Sequence, residues 1–195
     1  YAAAKLAGGA SPSLSAIASG SAAAQLLHHH AHYYLTLLAQ QTASLQKSRP
    51  QPAMALIQPE IDNVRLAWQT GLAAPQANGQ ADGRASAALL LSALPVLSIY
   101  YQLRGLAHEA EALMQSTVMA ATAWGADGHP LAAHAALERA RFQNRLGRYW
   151  PATETIAGAL RYAQQCGDRW AEGMGHVLWG EALWRLGEYA PAVSK

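Results

Sequence analysis

Apolar side chains along this chain fall at the three- and four-residue steps that place them on one face of a helix. From about Ala22, Leu27, Ala31, Tyr34 and Leu38 form such a stripe, with Leu26, Tyr33 and Leu37 beside it. The segment Lys47–Pro52 carries two prolines in three residues and breaks the pattern. It resumes as Ile57, Ile61, Val64, Trp68 and Leu72, which predicts a second amphipathic helix. Residues 8–20, rich in glycine, serine and alanine, read as a linker or loose turn, and residues 75–84 as a polar loop marking a boundary. The apolar run Ala87–Tyr101 is interrupted by Ser92, Pro95 and Ser98, and it is shorter than the roughly 20 residues that span a bilayer. It reads as a buried helix, with no membrane contact expected.

Beyond the polar loop the chain repeats itself. Leu146-Gly147-Arg148-Tyr149-Trp150-Pro151-Ala152 returns 40 residues later as Leu186-Gly187-Glu188-Tyr189-Ala190-Pro191-Ala192. A weaker copy, Arg104-Gly105-Leu106-Ala107-His108-Glu109-Ala110, lies 42 residues upstream. A glycine between two helical patterns at a fixed period is the mark of stacked helical hairpins, because neither helix of a pair can bury its face alone. The glycine allows a turn that a side chain would strain. The alanine five residues on leaves room for close helix contact. Gly125–Pro130 and Gly167-Asp168 read as the stops and starts between hairpins, with Pro130 near a first turn and Asp168 as an N-cap.

Composition agrees with an all-α chain. About half of the 195 residues are apolar, valine is scarce, and Phe142 is the one phenylalanine. A formal net charge of +2 with no dense basic stripe argues against direct nucleic-acid contact. Cys166 is the single cysteine, which excludes an internal disulfide and a cysteine-based zinc site. The setting expected is cytoplasmic, and no signal peptide is visible at Tyr1–Gly9. The two ends, Tyr1–Leu6 like the close of a helix and Ala190–Lys195 like the opening of one, imply a segment of a longer protein.

The repeats resemble tetratricopeptide repeats in a long version of about 40 residues. Gly180 lies seven before Gly187, where that family has a first-helix glycine, and Ala140 takes the equivalent place one repeat earlier. Ala152, Ile156 and Ala159 match its second-helix alanine–aromatic–alanine spacing, with isoleucine for the aromatic. The family's tryptophan and terminal proline are unmatched. The first half, with His30-Ala31-His32-Tyr33-Tyr34 and Glu60-Ile61-Asp62-Asn63-Val64-Arg65-Leu66-Ala67-Trp68, resembles the region after the winged helix in LuxR-type and SARP-type signal-transducing ATPases of bacteria. Tyr1–Leu6 resembles the last helix of their winged-helix module, and Tyr100–Gly105 the start of their repeat array.

The resemblance implies three parts: residues 1–20 as the end of that module and a linker, 21–74 as a helical linker region, and 85–195 as a truncated repeat array. It implies a right-handed superhelical stack of antiparallel helix pairs whose first helices line a concave groove. Gln102, Arg141, Asn144, Arg145, Glu181, Trp184 and Arg185 are the residues it points there. Three guanidiniums suit an acidic peptide, a protein or a small anionic inducer. No Gly-x-x-x-x-Gly-Lys-Ser/Thr phosphate loop is present, so neither ATP hydrolysis nor a cofactor is expected. A sensor or scaffold segment of a transcriptional regulator is the reading that follows. A free-standing repeat adaptor that docks a partner peptide is the alternative, and an all-helical enzyme has weaker support.

Candidate chemistry elsewhere has simpler explanations. His28 and His32 share a helix face, but no carboxylate or cysteine nearby completes a metal site, and His30 fits the edge of the core. Glu60 and Asp62 point different ways on a helix and make no acid/base pair, while Asp62, Asn63 and Arg65 read as ties to neighbouring helices. Cys166 reads as a small core residue at a helix end. Trp68, Trp124, Trp170 and Trp179 read as core. Trp150 and Trp184 fall at polar positions of the repeat, where they either anchor a partner or pack on a following repeat.

Overall fold

The computed structural model describes residues 14–42, 50–78 and 80–188, and among these there are helices and no strand. In chain order the helices are α1 (Leu14–Gln40), α2 (Gln51–Ile57), α3 (Ile61–Asn78), α4 (Gln80–Leu103), α5 (Ala107–Ala123), α6 (His129–Arg145), α7 (Tyr149–Cys166) and α8 (Arg169–Arg185). Short 3-10 turns, Gln58–Glu60 and Gly125–Gly128, join α2 to α3 and α5 to α6.

Two expected loops are largely helical. α1 begins at Leu14, inside the stretch read as a linker. Its alanines favour helix, and one interior glycine costs only about 1 kcal/mol. α3 runs to Asn78 and α4 starts at Gln80, so the polar stretch 75–84 is helical on both sides of residue 79. Polar residues do not exclude helix, and alanine and glutamine are good helix formers. Residues 1–13 and 189–195, with the expected winged-helix remnant and the last repeat copy beyond Glu188, lie outside the described residues.

The buried stripe of α1 is Ala31, Leu35 and Leu38, whereas Leu26, Leu27 and Tyr33 are exposed and Tyr34 is half-buried. Ala31 and Leu38 of the expected stripe are therefore core and Tyr34 packs at its edge, but Leu27 is exposed and Leu35 takes a core place, because α1 carries large apolar residues on both sides of that stripe. Ile57, Val64, Trp68 and Leu72 are buried as expected, and Ile61 packs against them. α4 is long and apolar enough to cross a membrane by composition, yet half of its window Arg84–Leu103 is buried within the fold. Leu90, Leu94 and Leu97 pack against α1, α3 and α6 in one cluster that extends from Ala31 to Phe142. Trp68 is fully enclosed there, and its Nε1–H donates to Thr117 Oγ1 on α5 at 2.9 Å.

From α5 onward, consecutive helices pack on one another, and α6 also touches α4 and α8. The turns that make this possible share one backbone solution. Gly105, Gly147 and Gly187 have φ of 69°, 73° and 82°, in the left-handed region where a side chain is strained. At each, the next N–H closes on the carbonyl five residues back: Leu106 to Tyr101, Arg148 to Gln143 and Glu188 to Leu183. Gly167 repeats the device between α7 and α8, where Asp168 bonds to Ala163. Asp168 is the N-cap of α8, accepting from the Ala171 N–H at 2.9 Å.

Ala110, Ala140, Ala152, Ala159 and Ala163 are buried where helices meet. Glu111, also buried, ties three segments: it accepts from Gln143 Nε2 at 3.0 Å and Arg148 Nη1 at 2.5 Å. Arg65 reaches Tyr101 Oη, Glu109 and Asp62, tying α3 to α4 and α5 as expected. Among the described residues, the Asn63 side chain bonds Glu60 alone, which in turn accepts from Tyr34 of α1 at 2.8 Å. The bonds from Asn63 and Tyr34 hold the Glu60 carboxyl below its ordinary pKa.

Candidate functional site

Two helices separated in the chain by α7, namely α6 and α8, present polar side chains toward each other. On α6, Arg141, Asn144 and Arg145 lie at steps of three and four, and on α8 Glu181 and Arg185 are four apart, so each set shares a face. Together with Tyr149 and Leu178 these five line a concavity of about 470 Å³. Asn144 is buried, with its Oδ1 unpartnered and its Nδ2 only 3.5 Å from the Leu178 carbonyl. Arg145, Glu181 and Arg185 are exposed, and none of them enters an ion pair among the described residues. Arg141 is partly neutralised by Glu138, at 3.0 Å, rather than by Glu181.

The structure therefore gathers five of the seven residues expected in the groove. Gln102, half-buried in the last turn of α4, is not part of that lining. Trp184 is exposed outside it, with the Arg185 guanidinium 5.0 Å from its ring centroid. A groove position implied by the family resemblance gives the helix face but not the rotamer.

A second concavity, of about 460 Å³, adjoins the first and shares Arg141 with it. Its floor is Leu94, Pro95 and Ile99 of α4 with Leu137 of α6, and Trp170 stands at its side. Trp170 is 58% exposed, where the sequence reading placed it in the core. The reason is its position at the start of α8, where its ring lies flat on His134 at 5.0 Å and 13° instead of inserting between helices. His134 Nε2 bonds Asp168 at 2.8 Å. Burial works to raise the Asp168 pKa, but the Ala171 N–H, the His134 ring and the Trp170 N–H outweigh it and hold the carboxyl below its ordinary value. Glu138, facing the same space, accepts from the Ser98 hydroxyl and from Arg141. None of His134, Glu138 and Trp170 was singled out as a groove residue from sequence. Their spacing from Arg141 along α6 would have flagged His134 and Glu138, since 134, 138 and 141 share a face.

A third concavity, of about 420 Å³, lies between α1, α3 and α4, with His28, His32, Thr70 and Ser92 on its polar side. Gly71 makes part of this space: an added Cβ would come within 3.1 Å of Leu35 Cδ1. No group of three or more His, Cys, Asp and Glu residues is placed to hold a metal among the described residues. Cys166 is exposed at the end of α7, not a core residue, because the last turn of that helix points its Sγ–H back to the Ala163 carbonyl. Of the other tryptophans, Trp124 and Trp179 are partly buried against the core, and Trp150 is exposed.

Compared with family models, curated proteins and solved structures, the chain shows no match.

Proposed function

We propose that this chain is a binding segment built of tetratricopeptide-like helical hairpins, part of the sensor of a cytoplasmic bacterial transcriptional regulator of the LuxR/SARP ATPase type. In this reading α4 to α8 belong to a right-handed superhelical stack of antiparallel pairs, and the concave groove receives an anionic partner, either an acidic peptide or a small inducer. It is a module that binds and transmits, not one that catalyses. The 40-residue recurrence of the glycine turn supports the repeat.

The observation that carries the binding reading is the convergence of Arg141, Arg145 and Arg185 on one concavity with a single carboxylate, Glu181, opposing them. Guanidiniums on two rigid helices favour bidentate contacts to carboxylate or phosphate. The test is titration calorimetry of the purified chain with a tetraglutamate peptide, against a variant with Arg141, Arg145 and Arg185 all changed to alanine. Binding that weakens at least tenfold in the variant, and weakens with salt in the parent, supports the reading. Equal binding by both proteins, with circular dichroism unchanged, sinks it. The regulator assignment is tested by the complete reading frame: a phosphate-loop ATPase encoded upstream supports it, and a start codon at the residue before Tyr1 overturns it.

A further inference from the structure

The arginine groove and the apolar concavity beside it meet at one side chain. Arg141 lines both, with Glu138 holding its guanidinium at the junction. On one side lie the exposed guanidiniums of Arg145 and Arg185 and the buried amide of Asn144. Its Nδ2 is 3.5 Å from the Leu178 carbonyl and its Oδ1 has no partner among the described residues. On the other side the floor is aliphatic, and Trp170 forms a flat wall braced from behind by His134. His134 is itself fixed by Asp168, so the indole plane is preset by a chain of contacts reaching from α6 to the cap of α8.

Each part has a different chemical demand. The Glu138 carboxylate is already satisfied by Ser98 and Arg141, so the apolar compartment offers no free anion to attract a cation. A preset indole face offers stacking to a ring, and it loses little conformational entropy on binding. The neighbouring compartment has an excess of positive charge over Glu181. A volume of about 460 Å³ suits a small molecule better than a folded partner.

We propose that the two compartments form one bipartite site for a small molecule with a flat, apolar ring system and an anionic end. The ring stacks on Trp170 over Leu94, Pro95 and Ile99, and the anion reaches Arg141, Arg145 and Arg185. This deepens the reading of the groove as an anion-binding site and rests on it. Trp170 is the residue that sets preference for a ring, and the arginines set preference for charge.

The test uses the whole chain with 2-naphthoate as probe, 2-naphthylmethanol as its neutral counterpart and tetraglutamate as an anion without a ring, each by titration calorimetry. The parent should bind 2-naphthoate at least tenfold tighter than the alcohol. Trp170→Ala should weaken 2-naphthoate at least tenfold and leave tetraglutamate unchanged, and Trp170→Phe should restore most of the loss. The joint Arg145→Ala and Arg185→Ala variant should weaken both anions. If 2-naphthoate binding ignores Trp170→Ala, or falls instead on Gly71→Leu, which fills the concavity between α1, α3 and α4, the bipartite site is overturned. The same holds if 2-naphthoate fails to bind, or binds no better than the alcohol, while tetraglutamate still responds to the arginines; the groove reading then survives alone. If neither anion responds to the arginines, both readings fail.

Discussion

The two hydrophobic clusters of this molecule solve the same problem with opposite means. The cluster shared by α1, α3, α4, α5 and the buried face of α6 that carries Leu131 and Phe142 is filled by bulk: Trp68, Met114, Phe142 and several leucines are fully enclosed, and Tyr100 and Tyr101 stack edge to face. The cluster of α6, α7 and α8 is lined mainly by alanines, with Leu137, Ile156, Leu160 and Leu178 between them. Bulk holds helices apart and tolerates irregular angles. Alanine lets backbones approach, so helix spacing there depends on small residues and on the glycine turns that aim each helix. The groove arginines sit on this second region, where a fixed spacing between α6 and α8 sets the distance across the site.

This contrast can be broken at five places, and the largest effect is expected at the joint between the regions. A Cβ on Gly128 would lie 1.8 Å from the Ala121 carbonyl oxygen, a backbone atom that cannot step aside. Gly128→Val should therefore cost about 3–5 kcal/mol, read as a lowered urea midpoint, or prevent folding. A midpoint within error of the parent would mean that α5 and α6 do not meet as described.

The next test sets the two clusters against each other. Trp68→Ala empties the bulky cluster and removes the donor to Thr117, at about 3–5 kcal/mol. Ala152→Leu should overpack the alanine-lined one at about 1–3 kcal/mol. If Ala152→Leu proves neutral in chemical denaturation, the second cluster is not close-packed and the contrast fails.

A smaller effect separates strain from crowding. A Cβ at Gly147 meets nothing within 4 Å, so the penalty expected from a side chain there is backbone strain alone, without the crowding that its place between two helices had implied. Gly147→Ala and Gly147→Val should each cost about 1–2 kcal/mol, and by similar amounts. A much larger loss for valine would point to contacts that the structure lacks.

The smallest effect is electrostatic. Because the Asp168 carboxyl is held below its ordinary pKa in the folded chain, its contribution is fully present above about pH 4, the unfolded value, and is lost as pH falls through the lower folded value. Asp168→Ala should lower stability at pH 7 by about 1 kcal/mol through loss of the cap, and by less at pH 3, measured by thermal melts across pH. It should also release His134 and loosen the Trp170 wall, which a change in tryptophan fluorescence would report.

Much of this fold was written into local spacing. The glycine period, the cap at Asp168 and the core face of α3 were legible because each depends on residues a few positions apart. The groove residues came from the resemblance to tetratricopeptide repeats, and of these Arg141, Asn144, Arg145, Glu181 and Arg185 line one concavity. The full core face of α1 was not legible: Ala31 and Leu38 were placed on it, but Leu27 is exposed where Leu35 is buried, and the two are equally apolar. Nor was the helical character of residues 14–20 and most of 75–84, because polarity and small residues describe exposure more than backbone conformation.

What the sequence by itself determined, then, is an all-helical chain with tight glycine turns between its helices, since those features need only propensity, periodicity and turn chemistry. Tertiary structure alone decided which aromatic side chains stay outside the core and what stands beside the arginines. Trp170 became a wall rather than a core residue only when α8 was laid against α6, bringing His134 under its ring from 36 residues away in the chain. The apolar floor came from α4, whose Pro95 and Ile99 lie more than a whole repeat upstream of Trp170. Such contacts arise where surfaces of distant segments fit, and no local pattern encodes that fit.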